Sequence, residues 1–238
     1  MRILITNDDG INAPQLVPFI KWCQKLGDVI TVVPKCEQSG KSHSIEIHKT
    51  FEAKEVELAP GIKAWAVDSS PADCVRFAVS ALRQEFDLVL SGINRGLNIG
   101  LDIVYSGTAA GVFEAGAWGI PGIAFSSEVA GYDNATQHLD AIWKIFKQHD
   151  LLKVHSLYNI NIPAEVKGYR FTRQGGRQFS AEFILQENDM YLPTGEYVYQ
   201  EQNNLEVDGD AVANGYISIL PLASARTDME VFDKLREM

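Results

Sequence analysis

Several things are scarce or missing in this chain, and each absence closes a class. Cysteine is limited to Cys23, Cys36 and Cys74, scattered and odd in number. That arrangement supplies neither a disulfide framework nor the ligand spacing of a zinc site. No run of about 18 apolar residues occurs, so a membrane-spanning helix is not expected. The first residues lead straight into strand-like and acidic sequence, without the basic and apolar regions of a secretory signal, and a cytoplasmic location is expected. Basic charge is also short: 21 Lys plus Arg against 31 Asp plus Glu give a formal net charge of −10. Sequence-independent binding to nucleic acid relies on many basic side chains, so no stable nucleic-acid binding is expected. A small phosphorylated ligand stays open, because a metal ion and a few backbone N–H groups can neutralise it locally.

What is present is an ordinary globular composition, 46% hydrophobic and 22% charged over 238 residues. The length suits one large α/β domain or a domain with an appendage. Arg2-Ile3-Leu4-Ile5-Thr6 reads as a buried strand of parallel type that breaks into Asn7-Asp8-Asp9-Gly10. Pro14 suits a helix start, and Leu16, Phe19, Ile20, Cys23 and Leu26 recur at helical spacing up to Gly27, read as the C′ residue. Val29 to Val33 is the next strand, which completes a β-α-β unit. Lys35 to Ser44 is a polar loop, and residues 45–67 predict short alternating strands, an antiparallel excursion from the core.

Ser70 as N-cap, Pro71 at N1 and Asp73 at N3 predict a helix to about Leu82. Asp87 to Leu90 predicts a core strand followed by a glycine-rich loop, Ser91 to Gly100. Ser106-Gly107-Thr108 leads into a small-residue helix that Gly119 ends, and Pro121 to Ser126 predicts another strand. A helix over about 137–148 and a strand at Leu157 to Ile160 complete the predicted core, residues 1–160. Residues 161–238 alternate short strand-like runs, such as Tyr197-Val198-Tyr199, with polar turns, and predict a β-rich arm. Within it Tyr216 to Leu220 is a strong strand, and a helix is expected from about Asp228.

Open α/β sheets bind ligands outside the carboxyl ends of their strands. Three polar loops follow core strands: Asn7 to Gly10, Lys35 to Ser44, and Ser91 to Thr108. They hold carboxylates, hydroxyls, amides and glycines, with His43 the one histidine and no cysteine beyond Cys36 at the second loop's root. Hard oxygen ligands suit Mg²⁺, Mn²⁺ or Ca²⁺. Ser106-Gly107-Thr108 at a helix start suits an anion, since unpaired N–H groups and the helix dipole meet there. The plainer readings are an Asx turn at Asp8-Asp9-Gly10, a simple N-cap at Ser106 or Thr108, and a surface histidine at 43.

Asn7-Asp8-Asp9-Gly10, Gln38-Ser39-Gly40, and the segment Ser91 to Gly100 together resemble the SurE family of survival-protein nucleotidases. Pro71-Ala72-Asp73-Cys74-Val75, Tyr105-Ser106-Gly107-Thr108-Ala109-Ala110 and Gly215-Tyr216-Ile217-Ser218 extend the likeness over nearly the whole chain. The resemblance implies a Rossmann-like core with a mostly parallel sheet, and a C-terminal arm exchanged between subunits of a homodimer or homotetramer. It implies a divalent-metal-dependent phosphatase of nucleoside 5′- and often 3′-monophosphates, with polyphosphate a further substrate of some members. By position, Asp8, Asp9, Ser39 and Asn94 would hold one Mg²⁺ or Mn²⁺ per subunit. Asn98, Ser106, Gly107 and Thr108 would surround the phosphate, and Asp8 and Asp9 would be the catalytic carboxylates. Departures fall at Ser69-Ser70, at Val207, and across Thr172 to Gln178, where the family pattern is only loosely matched.

Two other enzyme readings are disfavoured. A phosphatase with an aspartyl nucleophile needs carboxylates at i and i+2, but position 7 is Asn. A dinucleotide oxidoreductase needs glycines where Asp8 and Asp9 would repel a pyrophosphate. A non-hydrolytic nucleotide binder with a structural cation is the alternative from another class.

Overall fold

In the computed structural model, which describes residues 1–238, the chain opens on β1 (Arg2–Thr6), α1 (Leu16–Cys23) and β2 (Asp28–Pro34). β3 (Ala53–Ala59) and β4 (Ile62–Val67) form a hairpin about Pro60-Gly61. α2 (Pro71–Ser80) and β5 (Leu88–Arg95) precede a 3₁₀ segment, Gly100–Tyr105, and α3 (Gly107–Ala117). β6 (Gly122–Ser127), a 3₁₀ segment at Val129–His138, α4 (Leu139–Gln148), α5 (Leu151–Val154) and β7 (Leu157–Ile162) follow. The last third holds β8 (Gly168–Phe171), β9 (Glu182–Leu185), β10 (Tyr191–Thr194), α6 (Asp208–Ala213), β11 (Tyr216–Pro221) and α7 (Met229–Arg236).

Nine strands join one sheet in the order β3-β4-β2-β1-β5-β6-β7-β11-β8, and only the β3–β4 and β7–β11 pairs are antiparallel. Successive side chains of a strand point to opposite faces, and β1 shows both. Ile3 and Ile5 pack with Leu16, Phe19 and Ile20 of α1 and Leu139 and Ile142 of α4. Leu4 packs with Val32, Val89 and Cys74, Val75 and Ala78 of α2 on the other face. α3 lies beside α2, its Ala109 and Val112 against Ala124 and Leu157. Helices on both faces make the three layers of an α/β Rossmann-like fold, and they explain why the central strands are apolar throughout. β2 and β5 flank β1, so the chain reverses its direction of travel between β1 and β5. That is the switch point where such sheets open a crevice at their carboxyl ends.

The structure departs from the sequence expectations in instructive places. β5 runs through Ser91 to Arg95, where the glycines suggested a loop. Its pairing with β6 shifts register between Ser91 and Asn94, and a β-bulge of this kind re-aims side chains. β4 is parallel to β2, so only β3 forms the antiparallel part of the 45–67 excursion, and Ile45 to Ile47 is not a strand. Gly27 is no left-handed cap: a Cβ there would stand 1.9 Å from the Met1 carbonyl oxygen, so close approach of the chain end is what requires glycine. Residues beyond 161 supply two strands, β8 and β11, to the core sheet as well as a projecting β9–β10 hairpin. Tyr197 makes a lone bridge to Phe179 in place of the strand expected at 197–199.

Candidate active site

Local rules bring the three polar loops to one edge of the sheet, and hydrogen bonds stitch them together. The Gln38 N–H donates to the Asp8 carbonyl at 2.7 Å, which joins the first loop to the second. The Ser42 N–H and hydroxyl donate to the carbonyls of Tyr105 and Val104 at 3.1 and 2.7 Å, which joins the second to the third. Asn7 closes the turn after β1, its amide donating to the Gly10 carbonyl at 3.0 Å and accepting the Gly10 N–H at 3.1 Å. The turn is thus closed by Asn7 and not by the Asx turn expected of the Asp-Gly pair, and the Asp8 and Asp9 side chains reach the third loop at Thr108 and Arg95 instead.

Asp8 is 4% exposed. One of its oxygens accepts the Thr108 hydroxyl at 2.5 Å, and the other has no protein hydrogen bond. Gly107 lies against this carboxylate so tightly that a Cβ there would be 2.7 Å from the Asp8 Cβ. Burial pushes the Asp8 carboxyl up to about 6; the Thr108 hydroxyl opposes the rise and the neighbouring Asp9 charge adds to it. Asp9, half-buried, accepts the Arg95 N–H at 3.1 Å on one oxygen and keeps the other free. Burial raises its carboxyl too, the Arg95 N–H opposing and the Glu37 charge adding. Asn94, 9% exposed at the end of β5, commits its amide N–H to the Gly96 carbonyl at 2.8 Å and keeps its oxygen free. Ser39 stands apart on the exposed second loop, where its hydroxyl donates to Glu37 at 2.6 Å.

A buried carboxylate beside a half-buried one, each with a free oxygen, calls for a positive partner when ionised, because carboxylates are costly to desolvate alone. Asp8, Asp9 and Asn94 each keep an oxygen without a protein partner, hard donors of the type that could serve a divalent cation, and the Ser39 hydroxyl lies on the adjoining loop.

The residues read as a phosphate cradle surround the start of α3. Ser106 is its N-cap, accepting the Ala109 N–H at 3.0 Å, as the plainer reading held, while its own hydroxyl hydrogen stays available. Gly107 and Thr108 are the first helical residues, whose N–H groups a helix start leaves without intrahelical acceptors. Asn98 is locked in place: its amide donates to Thr108 at 3.2 Å and Ser126 at 2.9 Å, and its carbonyl accepts from Asn159 and Asn161 at 2.7 and 3.0 Å. Hydrogen bonds thus run from Ser126 through Asn98 and Thr108 to Asp8.

Ser126, Asn159 and Asn161 escaped sequence reasoning, although the signal existed. Asn159 and Asn161 sit two apart in an apolar strand, so both point to one face, and both are fully buried. His43 was read as a surface residue, yet its Nε2 lies 2.8 Å from Glu114 of α3 and its ring stacks on Phe113. Burial raises the Glu114 carboxyl, but hydrogen bonds from His43 and Trp118 outweigh it and leave the group low. This pair pins the second loop to α3.

A family model described as survival protein SurE matches residues 3–181. A protein of Clostridium beijerinckii named 5′-nucleotidase SurE is 35% identical over 255 residues, covering 100% of this chain and 99% of its own. One of the same name from Thermosipho melanesiensis is 34% identical, covering 100% of this chain and 97% of its own. The crystal structure of the SurE protein from Aquifex aeolicus superposes with a TM-score of 0.78 at 29% identity, covering 100% of this chain and 99% of that one.

Proposed function

The chain belongs to the survival protein SurE family, and from that premise we propose that it is a 5′-nucleotidase that hydrolyses nucleoside monophosphates to nucleoside and phosphate with a divalent cation. Mg²⁺ or Mn²⁺ would be held by Asp8, Asp9, Asn94 and Ser39. Nucleoside 3′-monophosphates and short polyphosphate are further substrates under this reading. The observation that carries it is the meeting of two carboxylates with the start of a helix: the Thr108 hydroxyl donates to Asp8, and Gly107 packs on the same side chain. A carboxylate able to serve a cation and helix-start N–H groups able to serve an anion thus lie side by side, which supports a phosphate monoester bound through a metal.

Phosphate-monoester hydrolysis is among the slowest uncatalysed reactions, so positioning and charge neutralisation supply most of the acceleration. When bound, the cation supplies Lewis-acid polarisation and a more acidic water. The protein's own part is placement. The N–H groups of Gly107 and Thr108 and the Ser106 hydroxyl orient the phosphoryl oxygens at the positive end of α3. Asn98, fixed by Asn159 and Asn161, holds Thr108, and Thr108 holds Asp8, so the carboxylate keeps one orientation. The second loop closes the site from the side, held to α3 by His43 and Glu114.

The projecting hairpin leaves Phe183, Ile184, Leu185, Tyr191 and Leu192 exposed, and α7 exposes Phe232 and Leu235. These apolar surfaces support a homodimer or homotetramer built through exchanged arms. No helix is long and apolar enough to cross a membrane. The test is phosphate release from AMP, 3′-AMP and polyphosphate with Mn²⁺, Mg²⁺ or excess chelator. Metal-dependent release from AMP is expected. Nucleotide binding without release under any metal would favour the non-hydrolytic binder.

A further inference from the structure

The two carboxylates of the site face different ways. Asp8 turns to α3 and takes the Thr108 hydroxyl, whereas Asp9 turns to the end of β5 and takes the Arg95 N–H at 3.1 Å. Arg95 is the last residue of β5 and lies beside Ser127 of β6 in the sheet. The 3₁₀ segment after β6 borders this second side. It buries Tyr132, and its Asp133 carbonyl accepts the side-chain amide of Gln15 at the start of α1 at 3.2 Å. The Arg95 charge acts on both Asp9 and Tyr132, so the guanidinium belongs to the same wall.

The Arg95 side chain is exposed and unpartnered. Other cations are engaged: Arg76 lies 3.8 Å from Asp73, Lys35 lies 2.9 Å from Glu52, and Arg170 sits over the Tyr216 ring at 4.0 Å. The Arg95 guanidinium makes no ion pair and no hydrogen bond, not even with the Asp9 carboxylate that accepts its own N–H. Arg95 is also the one cationic side chain whose charge eases the ionisation of either site carboxyl. Charge balance gives this free cation a use. Asp8 and Asp9 together cancel one divalent ion. A phosphate monoester adds about −1.5 to −2 near neutral pH, and the start of α3 offers about +0.5. About one negative charge or more is left over, beside a Glu37 that already presses on Asp9. A guanidinium suits that excess, since its planar fork matches two phosphate oxygens and it is weakly hydrated.

We propose that Arg95 binds the substrate phosphate, its guanidinium closing on phosphoryl oxygens from the Asp9 side while α3 holds them from the Asp8 side. The proposal deepens the nucleotidase reading and rests on it. The same charge acts against the metal, because a cation beside Asp9 weakens the hold of the carboxylates on a divalent ion. Arg95 therefore strengthens phosphate binding and weakens metal binding, two effects of opposite sign.

The test is calorimetric titration at pH 7 of wild type, Arg95→Met and Arg95→Lys, with Mn²⁺ into metal-free protein and then with inorganic phosphate into Mn²⁺-loaded protein. Arg95→Met should weaken phosphate binding by at least about tenfold, the loss of a charged hydrogen bond. It should tighten Mn²⁺ binding by about threefold, since a like charge is gone. Arg95→Lys should bind Mn²⁺ as wild type does and regain only part of the phosphate affinity, because it has the charge without the fork. The KM values of AMP and of the base-free 4-nitrophenyl phosphate should rise together in Arg95→Met, since the residue reads the phosphate alone. Phosphate held equally by wild type and Arg95→Met, phosphate and Mn²⁺ both weakened in Arg95→Met, or no phosphate binding by loaded wild type would each overturn the proposal. The second of these is what a merely structural role predicts. AMP left intact under every metal would refute the nucleotidase reading itself, whereas AMP turnover with unchanged phosphate affinity in Arg95→Met refutes this proposal alone.

Discussion

Consider Asp8→Asn in protein stripped of divalent ions with chelator. Burial holds the Asp8 carboxyl at about 6, against an ordinary 3.8. The folded state therefore binds that proton more tightly than the unfolded chain does, and ionising Asp8 destabilises the fold. Below about pH 4 the carboxyl is protonated in both states and the penalty is absent. It grows between about pH 4 and 6 and is complete above. At about 1.4 kcal/mol per pH unit, the full penalty is about 3 kcal/mol, an upper bound because the site can relax. Asparagine keeps an oxygen to accept the Thr108 hydroxyl but carries no charge. The stripped variant should thus be more stable than stripped wild type at pH 8 by up to about 3 kcal/mol, or about 6–12 °C in Tm. At pH 4 the two should coincide. Added Mn²⁺ should raise the wild-type Tm at pH 8 and leave the variant's nearly unmoved. Scanning calorimetry at the two pH values decides it. A variant less stable than wild type at pH 8, or an equal gap at both pH values, would refute the reasoning.

Other substitutions follow from the same contacts. Thr108→Val removes the donor to Asp8 and the acceptor of Asn98, and should cost about 1–3 kcal/mol in urea unfolding and at least about tenfold in kcat on AMP. Gly107→Ala puts a methyl 2.7 Å from the Asp8 Cβ and 3.0 Å from a carboxylate oxygen; AMP turnover should fall steeply while far-UV circular dichroism stays native. His43→Ala frees the second loop from Glu114, so the Mn²⁺ concentration for half-maximal activity should rise several-fold with kcat changed much less.

The parts of the fold set by local periodicity were readable in the chain itself. The buried β1 and β2, the Ser70 cap of α2 and the helix start at Ser106 all depend on residues a few positions apart. What escaped depends on partners far along the chain. Glycines at 92, 96 and 100 look like loop residues, but pairing with β6 draws Ser91 to Arg95 into a strand and brings Asn94 to the switch point. Gly27 looks like a helix cap, and only the distant Met1 carbonyl reveals its purpose. β4 and β11 join the sheet through partners that no local pattern names. The site's carboxylates stood out because two adjacent charges at the end of an apolar strand need compensation.

The most direct test of the account is phosphate release from AMP by Asp9→Asn and wild type, each with Mn²⁺ and with excess chelator. Asp9 supplies a free carboxylate oxygen to the proposed cation site and accepts the Arg95 N–H, and asparagine preserves that acceptor. The account predicts Mn²⁺-dependent release by wild type, loss of at least about a hundredfold in the variant, roughly the 3 kcal/mol of a charge-dependent contact, and a native circular dichroism spectrum. Near wild-type release by Asp9→Asn, or release by wild type that excess chelator does not diminish, would contradict it.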